Sequence, residues 1–347
     1  MLRPFSVMAT TFTNFFDPET KKQNVLVAGY GWGTHAFVSN IDHKKYAVTV
    51  VSERDRRLNQ NTMLQSLTPT YTAAKRPVVQ DTCLSVNKKE QRLVGTTETY
   101  PYDYLVIATG SEANDFGIPG VFKHCRMCKT EKDVEAIRSA VSTATATSGA
   151  TVLGAGPTGI ELACSLHQHG ITDIQIIEAA PQILPGFSDA MRTEILRRLD
   201  AKGIRLHLNR QIQAVTPAAI ETKSGAIPYG ANDLVIWTCG IRPVNFVRQL
   251  SGNGRALTVD DNLRYDSSIF AIGDSVMGRG PPTAQNARQQ GEYLAALFNA
   301  DFKGPAYSYK ELGRCVDLGN GLLVELWGTV FFMPSIDVSK YMWMLST

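Results

Sequence analysis

"NVLVAGYGWGTHAF", residues 24–37, is the stretch that decides the fold. It begins with an apolar run typical of a buried strand, meets Gly29, Gly31 and Gly33 in alternate positions, and continues with residues that favour a helix. A strand, a tight glycine turn and a helix N-terminus in this order form a cradle for the pyrophosphate of a dinucleotide. Thr34 stands where the usual G-x-G-x-x-G pattern has its last glycine. We expect Gly33 to relieve the crowding, so that binding is retained but weaker.

The same pattern occurs a second time, in "ATVLGAGPTGIELACS", residues 150–165. Each copy is followed later by an apolar strand that ends in T-G or T-C-G, in "DYLVIATG" (103–110) and "DLVIWTCG" (233–240). Two glycine fingerprints with their own closing strands predict an α/β chain with two Rossmann-like dinucleotide units. The glycine-turn and strand-end residues predicted to line the cofactor sites are Gly29, Gly31, Gly33, Thr109 and Gly110 in the first unit, and Gly154, Gly156, Gly159 and Gly240 in the second.

An acidic residue follows the second strand of each unit, where such folds bind a ribose hydroxyl. Glu53 ends "YAVTVVSE" in the first unit and Glu178 ends "DIQIIE" in the second. A carboxylate at this place accepts hydrogen bonds from ribose hydroxyls and repels a 2′-phosphate. We therefore expect the second site to prefer NADH to NADPH.

A third block, "SSIFAIGDSVMGRGPPTAQNARQQGEYLAALFN" (267–299), joins an apolar strand ending at Gly273 and Asp274 to a long helix. Two prolines at 281 and 282 predict the first turn of that helix. A helix N-terminus aimed at a flavin ring stabilises the anion formed on reduction. Gln285 and Gln289 are four residues apart and share a helix face, where they could contact a ring edge or a quinone oxygen.

The composition fits a soluble protein of two domains. The 347 residues carry a net charge of +3, with 44% hydrophobic and 19% charged residues, so we expect neither a nucleic-acid partner nor a metal site. Six scattered cysteines indicate a reducing compartment rather than a disulfide framework. Residues 1–16 lack acids, which is typical of either a mitochondrial targeting segment or an apolar arm. No apolar run reaches the length of a membrane-spanning helix, although the chain could lie on a bilayer.

The three blocks together resemble the two-dinucleotide-binding-domain flavoproteins, and within them the type II NADH dehydrogenases, over about residues 24 to 300. The most specific stretches are "GPTGIELA", "EAAPQILP", "DYLVIATGSEANDFGIPG" and "PPTAQNARQQGEYLAALFN". The resemblance implies a single-chain NADH:quinone oxidoreductase with non-covalent FAD. In such an enzyme a hydride passes from NADH to flavin N5 and two electrons pass to a quinone. It also implies a peripheral place on the mitochondrial inner membrane, in the respiratory chain.

The resemblance assigns roles to individual residues. Asp274 matches the aspartate that contacts the ribitol and pyrophosphate of FAD, and Ala284, Gln285 and Gln289 match a segment beside the flavin and the quinone. Glu161 matches the glutamate beside the nicotinamide, which it would orient or supply with protons. An acid near a helix N-terminus is also favoured by the helix dipole alone.

The motifs divide the chain into predicted domains. Residues 22–112 and 245–300 form the FAD domain, and 113–244 form an NADH domain inserted into it. Residues 1–21 are an N-terminal arm, and the short segment 301–347 is a docking or membrane-surface segment.

Two departures from the family keep other functions open. Residues 52–67 are polar and basic where the family has apolar or aromatic residues near the flavin, and the C-terminus lacks clean amphipathic helices. The chain could therefore be a non-catalytic flavoprotein-fold subunit of a large mitochondrial complex. A C-x-x-C pair, Cys125 and Cys128, also allows an NAD(P)H-dependent disulfide reductase.

Overall fold

The computed structural model describes residues 22–58, 64, 67, 71–74, 77–145 and 148–334. The predicted N-terminal arm and targeting segment, residues 59–63, 65 and 66 of the 52–67 segment, and residues 335–347 of the predicted C-terminal segment lie outside these residues. The elements of the first third are β1 (Gln23–Ala28), α1 (Trp32–Asn40), β2 (Tyr46–Ser52), β3 (Arg56–Leu58), β4 (Tyr71–Ala73), β5 (Val78–Gln80), β6 (Cys83–Asn87), β7 (Arg92–Gly95), β8 (Thr99–Pro101), β9 (Tyr104–Ile107) and β10 (Ser111–Ala113).

The middle third contains the second copy of the motif and its closing strand. Its elements are α2 (Val121–His124), β11 (Arg126–Met127), α3 (Glu131–Ser142), β12 (Ala150–Leu153), α4 (Pro157–Gln168), β13 (Ile174–Ile177), α5 (Asp189–Ala201), β14 (Arg205–His207), β15 (Ile212–Val215), β16 (Ala219–Thr222), β17 (Gly225–Pro228), β18 (Leu234–Trp237) and β19 (Ile241–Pro243).

The last third contains the third block and ends in three strands. Its elements are α6 (Asn245–Ser251), β20 (Leu257–Thr258), β21 (Arg264–Asp266), β22 (Ile269–Ala271), a 3₁₀ turn (Gly273–Ser275), β23 (Val276–Met277), α7 (Ala284–Asn299), β24 (Arg314–Asp317), β25 (Gly321–Leu326) and β26 (Thr329–Pro334).

Two sheets of mainly parallel strands form the two cores. The first has the order β21-β22-β9-β1-β2-β5, and the second has the order β11-β18-β12-β13-β14. Strands of the first sheet come from both sides of the segment that forms the second, so the predicted insertion of one unit into the other is confirmed. In each sheet the glycine-loop strand, β1 or β12, lies where the strand order reverses, and α/β sheets bind ligands at that point.

The two chain segments that connect the cores run side by side. β10 and β19 pair antiparallel, with Glu112 opposite Arg242. The Glu112 carboxylate accepts hydrogen bonds from Arg242 (2.8 Å) and from Arg248 on α6 (2.7 Å). Burial raises the pKa of Glu112, but the two guanidinium groups outweigh that effect and lower it. The connection is therefore a short ribbon reinforced by charge.

The C-terminal strands form an antiparallel meander, β24-β25-β26. One of its faces packs on the second core through apolar side chains that include Val316, Leu323 and Phe332. The Arg198 guanidinium lies 3.8 Å from the ring centre of Phe332. Part of the segment 301–347 therefore packs internally, while Trp327 at the hairpin tip is 92% exposed. The docking or membrane-surface role of this segment stays a prediction.

Helices α1 and α7 meet without side chains between them. Gly33 lies against the backbone of α7, since a Cβ there would be 3.0 Å from the carbonyl oxygen of Ala287. A Cβ on Gly291 would overlap the carbonyl oxygen of Gly33 and come within 3.0 Å of the Ala36 Cβ. This approach fixes the first glycine turn beside the third block.

Replacing Gly291 by alanine tests this contact. Alanine in a helix interior normally stabilises by about 1 kcal/mol relative to glycine. Here the overlap with α1 reverses the sign, and we expect a loss of about 2–4 kcal/mol in the free energy of unfolding, measured by chemical denaturation. Gly304→Ala is the control, because its Cβ would meet only Leu297 at an ordinary 3.5 Å. A stabilised Gly291→Ala variant would contradict the close approach.

Candidate active site

The first glycine turn has one constrained and one open position. Gly29 has a φ of +96°, and a Cβ there would lie 2.5 Å from the carbonyl oxygen of Ala108. Among the described residues other than its chain neighbours, no atom lies within 4 Å of the Cβ position of Gly31. The turn thus requires glycine at the first position for the backbone and leaves space at the second for a ligand to approach.

Thr34 fits the third position through its hydroxyl. The side chain is fully buried, and its Oγ1 donates a hydrogen bond of 2.8 Å to the carbonyl oxygen of Gly29. A Cβ on Gly33 would meet Ile272 and the carbonyl oxygen of Ala287, and relief of the crowding at Thr34 by Gly33 stays a prediction. Gly33 therefore positions α7 instead of lining the open side of the turn.

The second turn keeps all three glycines of the pattern. Gly154 has a φ of +105°, and the Cβ position of Gly156 has no atom within 4 Å. A Cβ on Gly159 would overlap the carbonyl oxygen of Gly154, so helix α4 needs glycine here. Gly240, at the end of β18, faces a side chain rather than open space, since its Cβ would be 2.6 Å from the ring of Phe116.

The strand-end acids differ in how they are held. Each oxygen of the Glu178 carboxylate accepts a backbone hydrogen bond, from Ala155 in the glycine turn (2.7 Å) and from Ala180 (2.8 Å). This fixes the carboxylate beside the turn and leaves lone pairs for further donors. Glu53 is exposed at the end of β2.

Asp274 lies in a polar cluster with residues that the sequence analysis missed. Its Oδ2 accepts a hydrogen bond of 2.5 Å from the hydroxyl of Ser111 and lies 3.9 Å from the ammonium of Lys129. Burial lowers the pKa of Lys129, and the nearby Asp274 carboxylate opposes this effect. The basic side chain follows the C-x-x-C pair, and nothing in its local sequence indicated this position.

The residues that follow strand β9 lie close to the loop that carries Asp274. Gly110 donates its backbone N–H to the hydroxyl of Ser275 (3.3 Å), and Thr109 lies 3.5 Å from that hydroxyl. The Cβ position of Gly110 is open. Thr109, Gly110 and Asp274 are therefore brought near one another through Ser275 and Ser111, and their contact with FAD stays a prediction.

Two buried amides hold the loop before α7. Gln290, 1% exposed, accepts from the N–H of Gly273 (2.6 Å) and donates to the carbonyl oxygen of Arg279 (2.9 Å). Asn286 donates to the carbonyl oxygen of Pro281 (2.8 Å). The prolines do not form the first turn as predicted, because Thr283 caps the helix and Ala284 begins it.

Gln285 and Gln289 bind the connector that follows α7. Gln285 accepts from the Tyr309 hydroxyl (2.6 Å) and the Leu312 N–H (3.1 Å), and donates to the carbonyl oxygen of Gly313 (3.3 Å). Gln289 exchanges two hydrogen bonds with the backbone of Lys310 (2.8 and 3.0 Å). The structure gives these amides a structural task, and their contact with a quinone stays a prediction.

Glu161 is a buried acid on α4. Its side chain is 9% exposed, and its Oε1 accepts a hydrogen bond of 3.3 Å from the backbone N–H of Asp317 on β24. Burial, with the nearby Asp317 carboxylate, raises the pKa of Glu161 to about 8, despite the hydrogen bond that opposes it. A carboxyl with such a pKa can hold or release a proton near neutral pH.

The cysteine pair does not form a redox site in this structure. Cys125 and Cys128 are both free thiols, and they pack with different cores, near Trp237 and Ile160 respectively. Burial raises the pKa of each to about 12. Both are protonated at neutral pH, whereas disulfide exchange needs a thiolate.

The open glycine positions and the fixed carboxylates fit two dinucleotides. Gly31, Gly110 and Gly156 leave spaces that a Cβ would fill, at the carboxyl ends of β1, β9 and at the start of α4. Glu178 and Asp274 supply fixed carboxylates at the positions where ribose or ribitol hydroxyls would donate. The fold and the site therefore define a protein of the class with two dinucleotide-binding units.

Residues 23–291 match the family model described as pyridine nucleotide-disulphide oxidoreductase, and the chain belongs to this family. The resemblance inferred from the motifs and the α/β fold class are thereby confirmed. FAD and NAD(H) as the two cofactors are confirmed at the level of the family.

The similar proteins include mitochondrial ubiquinone oxidoreductases. The external alternative NAD(P)H-ubiquinone oxidoreductase B2, mitochondrial, of Arabidopsis thaliana is 29% identical over 366 residues, which cover 86% of this chain and 61% of that protein. The external NADH-ubiquinone oxidoreductase 2, mitochondrial, of Saccharomyces cerevisiae is 27% identical, with 80% and 63% covered. The chain thus spans about three fifths of the length of these curated relatives.

Solved structures share the fold. NDH2 from Plasmodium falciparum in complex with NADH superposes with a TM-score of 0.80 at 19% identity, covering 93% of this chain and 94% of that one. The sulfide:quinone oxidoreductase of Aquifex aeolicus gives a TM-score of 0.74 at 17% identity, with 90% and 84% covered.

The described ranges contain neither a membrane-spanning helix nor a metal-binding cluster. None of the helices there combines the length and the apolar character needed to span a bilayer. The same part of the chain holds no group of three or more His, Cys, Asp or Glu side chains suited to a metal ion.

Thr34→Val tests how the first turn tolerates its missing glycine. Valine keeps the shape but removes the donor to the Gly29 carbonyl oxygen, and we expect a loss of about 1–3 kcal/mol in the free energy of unfolding. FAD retention after gel filtration, measured by absorbance, should fall as well. Thr34→Ser keeps the hydroxyl and is the control. Equal behaviour of the valine and serine variants would show that the hydrogen bond does not support the turn.

Proposed function

We propose that this chain is an FAD-dependent NADH:quinone oxidoreductase that acts at the surface of the mitochondrial inner membrane. The observation that carries the proposal is the meeting of the first glycine turn, Asp274 and the N-terminus of α7 in one unit, with a second complete turn and Glu178 in the other. The names of the relatives, all mitochondrial ubiquinone oxidoreductases, support the acceptor and the compartment.

The first unit would hold FAD. The open positions at Gly31 and Gly110 would admit the pyrophosphate, Asp274 would accept hydrogen bonds from the ribitol, and Glu53 would accept one from a ribose hydroxyl. The Lys129 ammonium, 3.9 Å from Asp274, would add a positive charge to this site. Bound FAD would take a hydride from NADH and pass two electrons to a quinone.

The N-terminus of α7 supplies electrostatic stabilisation. Thr283 caps the helix, and Ala284 and the following N–H groups point toward the loop end. The partial positive charge there favours a negative charge placed against it. Because Gln290 and Asn286 anchor the preceding loop to the helix, this charge is fixed in position.

The second unit would hold NADH. The turn at Gly154, Gly156 and Gly159 would cradle the pyrophosphate, and Glu178 would accept hydrogen bonds from the adenosine ribose. Glu161, the fifth residue of α4, is an acid close to this turn in the chain that can carry a proton at neutral pH. It would orient the nicotinamide or transfer a proton.

Gln285 and Gln289 are already hydrogen-bonded to the connector, which restricts their part in the quinone step. A direct contact with the acceptor would require either amide to give up a hydrogen bond to the connector. We infer instead that they keep the connector docked beside α7, and that the acceptor meets the surface formed by both.

The first test is anaerobic mixing of the FAD-loaded protein with NADH in a stopped-flow instrument. Loss of the visible flavin absorbance, followed by its return when a soluble ubiquinone is added, is the expected result. Bleaching that ubiquinone does not reverse would contradict the proposed acceptor. No bleaching in folded, FAD-loaded protein would instead support a non-catalytic subunit.

Replacing Glu178 by glutamine tests the nucleotide preference. We expect the ratio of kcat/KM for NADPH to that for NADH to rise by about tenfold or more, since two like charges about 4 Å apart repel by several kcal/mol near a protein surface. Glu135→Gln, an exposed acid on α3 of the same unit, is the control and should leave the ratio unchanged. A wild-type protein that used both nucleotides equally would contradict the role of Glu178.

A further inference from the structure

The C-terminal meander brings a second buried acid to Glu161. Asp317 ends β24 and is 5% exposed. Its backbone N–H, on the open edge of the strand, donates to the Glu161 carboxylate at 3.3 Å. Two carboxyl groups from elements 156 residues apart in the chain therefore lie in one buried place.

One oxygen of this pair lacks a partner. The Oδ1 of Asp317 accepts from the N–H of Gly319 at 2.8 Å, whereas its buried Oδ2 has no hydrogen-bond partner in the described part of the chain. A bare buried carboxylate oxygen is costly, and native proteins satisfy nearly all such atoms. A proton on one of the two carboxyls removes a charge and supplies a donor.

The surroundings add no charge to balance the pair. The titratable groups that face Glu161 or Asp317 are thiols, Cys128 before α3, Cys164 on α4 and Cys315 on β24. Burial raises the pKa of all three far above neutrality, so they are uncharged. The Lys202 ammonium lowers the pKa of Cys164, but none of the cations among the described residues affects the pKa of Glu161. Water or protons, rather than an ion pair, must satisfy the pair.

We propose that Glu161 and Asp317 form a single proton-holding site, in which Asp317 is the positioning residue that keeps Glu161 protonated. The inference rests on the proposed function and deepens it. The reaction NADH + H⁺ + quinone → NAD⁺ + quinol takes up one proton beyond the hydride. The pair holds one proton as an O–H bond on a carboxyl, releases it when that bond breaks, and regains it from water.

The sign of the effect on stability follows from linkage. The folded pair binds a proton up to a pH of about 8, whereas an unfolded glutamate releases it above a pH of about 4.3. Between these values the unfolding equilibrium constant therefore rises with pH. One retained proton gives a tenfold rise per pH unit, and two independent protonated acids would give a hundredfold rise.

The test compares the pH dependence of unfolding in four FAD-loaded proteins: the wild type, E161Q, D317N and the double variant. Between roughly pH 5 and 7 the unfolding equilibrium constant of the wild type should rise with pH more steeply than that of the double variant, by about a factor of ten per pH unit. D317N should shift the upper end of this range to lower pH, since it removes the neighbouring carboxylate. Glu325→Gln, on the adjacent strand β25, should follow the wild type. A hundredfold difference, or none, would overturn the proposal.

Infrared spectroscopy gives a second readout that does not depend on unfolding. At neutral pH the wild type should show the C=O band of a protonated carboxylic acid, absent in E161Q and displaced in D317N. If the wild type lacked this band, the proposed proton-holding pair would be contradicted. Neither measurement uses NADH or quinone, so a detected pair in a protein without NADH oxidation would refute only the proposed function. Oxidation without the pH signature would refute only the pair.

Discussion

The backbone contact between α1 and α7 is the constraint on which the first core and its site depend. Gly33 and Gly291 allow two helices to meet where any side chain would hold them apart. Because α1 begins at the first glycine turn and α7 begins beside the Asp274 loop, this approach sets the distance between the two. The same loop is then locked by Gln290, whose amide bridges Gly273 and Arg279. A glycine pair and a buried amide therefore align three segments that lie far apart in the sequence.

The parts of the site that could be predicted from the sequence are those encoded within a few residues. The glycines at 29, 31, 154, 156 and 159 and the acids at 178 and 274 each follow a strand, and their roles depend on local backbone geometry and on the edge of a parallel sheet. Thr34 shows the limit of such reasoning. The pattern identifies the departure, but only the structure shows that its hydroxyl bonds to the carbonyl oxygen of Gly29.

What could not be predicted depends on partners distant in the chain. Gln285 and Gln289 have the spacing of a ligand-binding pair, yet their partners lie at 309–313, on a connector with no motif of its own. Lys129 reaches Asp274 across 145 positions, and Asp317 reaches Glu161 from a segment that read as a surface patch. Helical spacing gives the face that a side chain occupies, but not the segment that covers that face.

The connector docked on α7 makes the C-terminal meander a tether between the two units. Its amino-terminal end is bonded to the first unit through Gln285 and Gln289, and its strands pack on the second through Val316, Leu323 and Phe332. The β10–β19 ribbon is a second link between the same two units. The chain therefore joins its two cores at two separate places, and undocking the connector from α7 would leave only the ribbon.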